Sequence, residues 1–322
     1  MIQERGLFGL NMTILVTSVL VFGVIAGILG VILLYAGVTG EGAILLWLII
    51  SFLMIFLQWY FGPALIRFVT GAREVKPEEA PKLHAMLDRL SSEAGIPKPK
   101  LYVVNNRTPN AFAFGRTQGS SGIAVHTGLL EVLNEDEVEA VLAHEVGHIK
   151  HRDVLVMTVA SSLPVMLYYA VLIFGGGNDR ERGLGSIMLT FIGAIIAQLI
   201  GQLMVMWLSR RREYYADAFA AYATRKPELL MSALAKITYK AGPEPAASGL
   251  SSLYIADPSP PEKEKVAEIA RALGTGNPAL IESAIQNEVQ KAGVFEIFMT
   301  HPLTAKRLAA LWEIKKENEF AA

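Results

Sequence analysis

The run His144-Glu145-Val146-Gly147-His148 has the residue types and the spacing of a metal centre. On an α-helix, residues four apart share one face and stand one turn apart, about 6 Å along the axis. Two imidazoles placed this way can grip one zinc ion while the intervening Glu145 faces the same cleft as a base. The chain has no cysteine, which excludes disulfides, Cys-ligated zinc and thiol nucleophiles. Any metal must therefore be held by histidine and carboxylate, and there are six histidines: His84, His126, His144, His148, His151 and His301.

A catalytic zinc takes three protein ligands and keeps a fourth position for water. Glycine at position 151 and histidine at 154 would mark a metzincin; the chain has His151 and Val154, so that class fails. His151 shares the face of His148 but lies seven residues from His144, about 10 Å of helical rise. Zinc–nitrogen bonds are about 2.0–2.1 Å, so one ion does not comfortably take all three imidazoles from a continuous helix, and His151 reads as a residue that backs a ligand or packs at an interface. The better third ligand is Glu213 in Arg212-Glu213-Tyr214-Tyr215-Ala216-Asp217. Asp217, one turn further on, can accept the free N–H of a ligating histidine and fix its tautomer. His84 and His126 read as surface or packing residues.

These residues need elements to place them. Asn134 with Glu137 three residues on is a capping-box pattern, and the helix it starts carries Val138, Val141, Leu142 and Val146 on to Asp153. Before it comes a helix with Leu83, Met86, Leu87 and Leu90 on one face and a stop at Gly95. Strands follow over Lys100–Asn106, Ala111–Gly115 and Gly122–Thr127. Later helices are predicted over Arg211–Thr224, Glu228–Ala241 and Glu262–Leu273, with a last one from near Pro302 bearing Leu308, Leu311 and Trp312. Gly242–Pro261 is a Pro/Ser/Gly-rich loop.

The composition sets the surroundings. Of the 322 residues, 52% are hydrophobic and 18% charged, with a mean hydropathy of +0.38; soluble domains are less apolar and about 25% charged. The excess sits in four windows without a charge or histidine: Met12–Gly37, Ala43–Gly62, Val154–Gly175 and Ser186–Leu208. Each is long enough to span the bilayer as a helix of about 20 residues. Around the span ends, twelve Lys and Arg fall on the side of the termini and the two large polar segments, against two in the opposite links. That asymmetry puts both termini and both polar segments in the cytoplasm. The expected division is a 1–62 anchor, a first peptidase part over 63–153, two further spans within 154–208 and a second peptidase part over 209–322. The formal net charge of −1 and the lack of an aromatic-plus-basic stripe give no sign of a nucleic-acid partner.

The two motifs stand just outside neighbouring spans, His148 six residues before the third and Glu213 five residues after the fourth. Two antiparallel helices leaving the bilayer on one side bring them together. Taken with Asn110-Ala111-Phe112-Ala113-Phe114-Gly115, and with His301-Pro302 followed by Arg307, the chain resembles HtpX-type membrane zinc endopeptidases. These are relatives of the CAAX prenyl protease and of the mitochondrial inner-membrane metallopeptidase. The resemblance covers nearly the whole chain. It implies a mainly α membrane protein: four transmembrane helices plus a cytosolic α+β gluzincin-like zinc metallopeptidase domain with a small β-sheet. It also implies one Zn2+ per chain, nucleotide-independent endoproteolysis of membrane proteins, including damaged or misfolded ones, and residence in the plasma membrane with the active site cytosolic. By the same resemblance, His301 and Arg307 are candidates to stabilise the oxyanion, and Asn110, Ala111, Phe112, Ala113, Phe114 and Gly115 form an edge strand that pairs with the substrate backbone. Other readings are a prenyl-peptide protease, an intramembrane protease of the site-2 type and a non-catalytic scaffold or metal-binding protein. The site-2 type ranks low because the zinc helix carries many charges and lies outside every apolar window.

Overall fold

The computed structural model describes residues 41–161, 163–174, 184–240, 255, 260–291, 296 and 299–317. Its described residues separate into an apolar unit, those up to Phe61 with those of Val156–Leu208, and a polar unit, those of Gly62–Leu155 with those of Ser209–Ala322. The window Met12–Gly37 lies outside the described residues. The window Ala43–Gly62 falls in helix α1, Glu41–Thr70, along which Leu45, Ile49, Leu53, Phe56 and Phe61 are exposed.

The polar unit then builds its sheet. Strand β1, Arg73–Glu74, runs into helix α2, Pro81–Ala94, which buries Leu87 and Leu90 as the periodicity predicts. The helix ends at Gly95, whose φ of 68° is the left-handed conformation that favours glycine at a helix stop. Strands β2 (Lys100–Val104), β3 (Ala111–Phe114) and β4 (Gly122–His126) match the predicted ones to within two residues. Their order is β1-β2-β4-β3, with β2 parallel to β4 and the other pairings antiparallel. The Ala-Phe-Ala-Phe strand β3 is therefore a terminal strand, paired through Ala111↔Val125 to Phe114↔Gly122 on its one β4 side. His84 and His126 are both buried: His84 Nε2 bonds the Val75 carbonyl at 2.9 Å and His126 Nδ1 that of Thr108 at 2.9 Å.

A short helix α3, Thr127–Val132, leads to α4, Glu135–Lys150. The predicted capping box forms in full, Glu137 N–H to Asn134 Oδ1 at 2.9 Å and Asn134 N–H to Glu137 Oε2 at 3.0 Å. The other Glu137 oxygen accepts from Ser232 Oγ at 2.7 Å and Lys236 Nζ at 2.6 Å, so one buried carboxylate both starts α4 and ties a later helix to it. Val138, Val141, Leu142 and Val146 are buried in the main core. The end of α4 differs from expectation: the helix stops at Lys150, not Asp153. Arg152 takes a φ of 56°, in a region an L-residue rarely occupies, and a new helix starts at Asp153.

That helix, α5 (Asp153–Ala160), is followed by α6 (Leu163–Phe174) and by the 41-residue α7 (Leu184–Thr224). Within the apolar unit, α7 buries Ala194 and Gln198 while Met188, Leu189, Ile192, Ile196, Ile200 and Met204 are exposed. Among the described residues two helical stretches are long and apolar enough to cross a membrane, Asp153–Leu172 and Met188–Thr224. Two of the four predicted spans thus meet that criterion here.

The rest is helical. After α7 come α8 (Pro227–Lys240), α9 (Pro260–Thr275), α10 (Pro278–Lys291) and α11 (Thr304–Glu317). The sequence reading did not anticipate α10. Leu230, Leu234 and Ile237 of α8, Val266 and Ile269 of α9, Ile281 and Ile285 of α10, and Leu308 and Leu311 of α11 join the core of α2, α4 and the sheet. Truncating any one of these large buried side chains to alanine is expected to cost about 2–5 kcal/mol. The result is a mostly helical protein with one small sheet, and α4 sits in the middle of the polar unit's core.

Candidate active site

Helix α4 delivers both motif histidines to one point. Their rings stand edge to face with centroids 4.6 Å apart, and His144 Nε2 lies 3.0 Å from His148 Nε2. Glu213, on the polar end of α7, closes the triangle: its Oε2 is 3.6 Å from His144 Nε2 and its Oε1 is 3.6 Å from His148 Nε2. Among the described residues, these three form the group of metal-ligating side chains whose donor atoms all converge within 4.8 Å. A tetrahedral zinc with bonds of about 2.0–2.1 Å separates its donor atoms by roughly 3.3 Å. Separations of 3.0, 3.6 and 3.6 Å bracket that value, so the residues fit the ion.

The opposite ring nitrogens support the same conclusion. His144 Nδ1 lies 2.9 Å from Asp217 Oδ1, close enough to pair although not aligned as a full hydrogen bond. His148 Nδ1 lies 2.5 Å from Asp153 Oδ2. With both Nδ1 atoms turned towards carboxylates, both Nε2 lone pairs are free to face a cation, the usual way a protein orients metal-binding histidines. Burial opposes charge on His144, but the Asp217 and Glu213 carboxylates outweigh it and raise the imidazole to about 9.

Each carboxylate is in turn gripped by an arginine. Arg307, on α11, forks onto Asp217 with Nε to Oδ2 at 2.8 Å and Nη2 to Oδ1 at 2.7 Å. Its Nη1 lies 3.2 Å from Glu213 Oε2 and also donates to the Ile255 carbonyl. Burial works against the guanidinium charge, yet Asp217 and Glu213 raise its pKa further above the ordinary value. Arg212 holds Asp153 at 2.6 Å.

Glu145 is 3% exposed between the two histidines, and the Arg307 cation feels its charge. Gly147 explains how the two helices come so close: a Cβ there would stand 3.1 Å from the Ala216 Cα and 3.2 Å from the Phe219 ring. His301 stands beside the ligands, with Nδ1 3.5 Å from Glu213 Oε1 and both buried ring nitrogens lacking a hydrogen bond. His151 is left out; it caps α4, exposed, with its ring 6.0 Å from that of Tyr215. Asn110 is buried at the head of β3, its carbonyl accepting from His126 N–H at 2.9 Å and its Oδ1 from Ile255 N–H at 3.0 Å.

The structure therefore brings His144, Glu145, His148, Glu213, Asp217, His301 and Arg307 into one cluster. It places Asn110 one residue, Ile255, away from Arg307. Sequence reasoning missed Asp153 and Arg212. The available signal was an acid opening a helix five residues after His148, but its use depends on the break at Arg152.

Comparison with known proteins agrees with this geometry. The description "Peptidase family M48" matches residues 77–315. The chain is similar to the "Protease HtpX homolog" of Methanothermobacter thermautotrophicus, 40% identical over 73% of this chain and 88% of that protein. It is also similar to the Pyrococcus furiosus "Protease HtpX homolog", 35% identical over 86% of this chain and 89% of that protein. Among solved structures, S. mikatae Ste24p shares the fold at a TM-score of 0.52 and 19% identity, covering 94% of this chain and 66% of that one. With its His-His-Glu cluster inside the matched region, the chain belongs to peptidase family M48 and is an HtpX-type metalloprotease.

Proposed function

We propose that the chain is a zinc-dependent endopeptidase that hydrolyses peptide bonds of membrane proteins, damaged or misfolded ones included, at the cytosolic face of the plasma membrane. The observation that carries this reading is the convergence of two Nε2 atoms and one carboxylate, each imidazole backed by its own acid. One zinc per chain would be held by His144, His148 and Glu213. When bound, it supplies Lewis acidity and a water whose pKa falls towards about 7.

The chain's own groups do the rest. Glu145 accepts the proton of the attacking water and passes it to the leaving amine. His301, whose buried ring nitrogens make no hydrogen bond although Nδ1 lies 3.5 Å from Glu213 Oε1, donates to the developing oxyanion. Arg307 holds Asp217 and Glu213 in place from behind, which makes it a positioning residue more than an oxyanion donor. The terminal strand β3 adds the substrate backbone as a further strand, giving affinity with little sequence preference. The excess of Lys and Arg on the peptidase side supports a cytosolic face, and the exposed apolar helices support substrates met at the bilayer.

Casein digestion by the detergent-purified chain tests the reading. Glu145→Gln should retain zinc and lose cleavage by at least about 100-fold, the scale of a lost general base. Undiminished cleavage by Glu145→Gln would overturn the mechanism.

A further inference from the structure

The His301 ring makes no hydrogen bond through either of its buried nitrogens, although Nδ1 lies 3.5 Å from Glu213 Oε1. Hydrogen bonds of the side chain itself therefore do not fix where the imidazole stands, and the main chain on either side of it must. After His301 the chain runs straight into α11. The Leu303 carbonyl accepts from Lys306 N–H at 2.9 Å and Arg307 N–H at 3.2 Å, and Leu303 N–H donates to Glu296 Oε1 at 3.3 Å. Two residues before His301, the Met299 carbonyl accepts from Arg210 Nη1 at 2.6 Å.

Arg210 is half-buried on α7, three residues before Glu213. Residues three apart on a helix are neighbours on one face, so the ligand and the arginine look the same way. The run Arg210–Arg212 is divided by task. Arg212 holds Asp153 behind His148, Arg211 is exposed, and Arg210 reaches 89 residues along the chain to a main-chain carbonyl. A neutral carbonyl does not balance the charge of an arginine; a short charge-assisted bond to one holds the main chain in place. We infer that Arg210 is a positioning residue for His301, pinning segment 299–303 through the Met299 carbonyl so that the imidazole is set against Glu213, about one turn along the same helix. The inference takes its catalytic meaning from the reading of His301 as oxyanion donor, while the pinning itself is a matter of structure. One missing oxyanion donor costs about 100–1,000-fold in kcat, and a misplacement of about 1 Å can cost about 100-fold.

Two readouts on the full-length chain in detergent test this. The first is the rate at which diethyl pyrocarbonate modifies His301, followed by mass spectrometry of the peptide that carries it. Arg210→Met keeps the apolar stem but removes the donor. It should raise that rate by about 10–100-fold, the factor a hydrogen bond from a charged group supports. His84 and His126, buried by bonds of their own, should keep their rates. Arg210→Gln, two bonds too short to reach the carbonyl, should behave alike and decides the matter if the methionine variant fails to fold. The second readout is casein cleavage. Arg210→Met should lower kcat by about 10–100-fold with zinc content and KM unchanged. In a His301→Ala background it should lower kcat by no more than about twofold further, because residues that act as one unit do not add. Unchanged modification of His301 in the folded variants would overturn the proposal. So would a kcat that Arg210→Met leaves alone while His301→Ala lowers it, or a loss that multiplies with that of His301→Ala. Faster modification in Arg210→Met together with full cleavage by His301→Ala would uphold the pinning and defeat the oxyanion reading.

Discussion

The two metal-binding histidines are held by the same device built in two different ways. His144 is backed by Asp217 and then Arg307, all with side chains only 1–2% exposed and drawn from α4, α7 and α11. His148 is backed by Asp153 and then Arg212, where the histidine is 16% and the arginine 13% exposed. The first arm depends on tertiary packing, since Asp217 and Arg307 lie 90 residues apart. In the second, Asp153 follows His148 by five residues across the helix break at Arg152, and only Arg212 comes from a distant element, α7. Identical chemistry can therefore carry very different energetic weight. In the deep arm every partner is cut off from water; in the shallow arm His148 and Arg212 keep some access to it, although Asp153 does not.

That contrast can be broken from either end. Arg307→Ala strips the buried Asp217 of its guanidinium and leaves only His144 beside it, and breaking a buried pair this way costs about 3–5 kcal/mol. Thermal or urea unfolding of the metal-free protein should show a loss on that scale, and a change below about 1 kcal/mol would remove the distinction between the arms. Asp153→Ala should instead weaken metal binding by about 10–100-fold, the usual effect of losing a histidine's orienting carboxylate. Competition against a calibrated chelator reads that affinity, and the melting temperature should drop by less than in Arg307→Ala. The smallest effect is expected at the hinge of the shallow arm. Arg152→Ile puts a β-branched residue at a φ of 56°; arginine already bears the general left-handed penalty of about 1–2 kcal/mol, so only the added strain of the branch counts, a cost below that range in unfolding experiments. It should also loosen Asp153 from His148, so that metal affinity falls in the same direction as in Asp153→Ala but by less.

The same contrast explains what could be read in advance. The deep arm was partly legible because His144, His148, Glu213 and Asp217 obey the four-residue period of a helix face. The capping box at Asn134 and the strands β2, β3 and β4 were legible for similar reasons, being local patterns of known period. Asp153 was not, because the pattern predicted a continuous helix and an arginine is an improbable residue for the left-handed break that interrupts it. The Arg307 fork had no local signal at all; only the motif spacing after His301 drew attention to that residue. Strand β1 is two residues long, too short to show a period. Helix α10 carried a start signal that was overlooked, Asn277 ahead of Pro278, where Asn277 Oδ1 accepts from Ala279 N–H at 3.0 Å. The close approach of α4 and α7 at Gly147 is likewise visible only once Ala216 is seen opposite it.

The central claim is that Glu213 completes a metal site with His144 and His148. It is tested most directly by counting zinc per chain after equilibration with a competing chelator, in the wild type and in Glu213→Ala. The wild type should keep one zinc per chain and Glu213→Ala should keep almost none. Full retention of zinc by Glu213→Ala would contradict the assignment and send the search for the third ligand elsewhere.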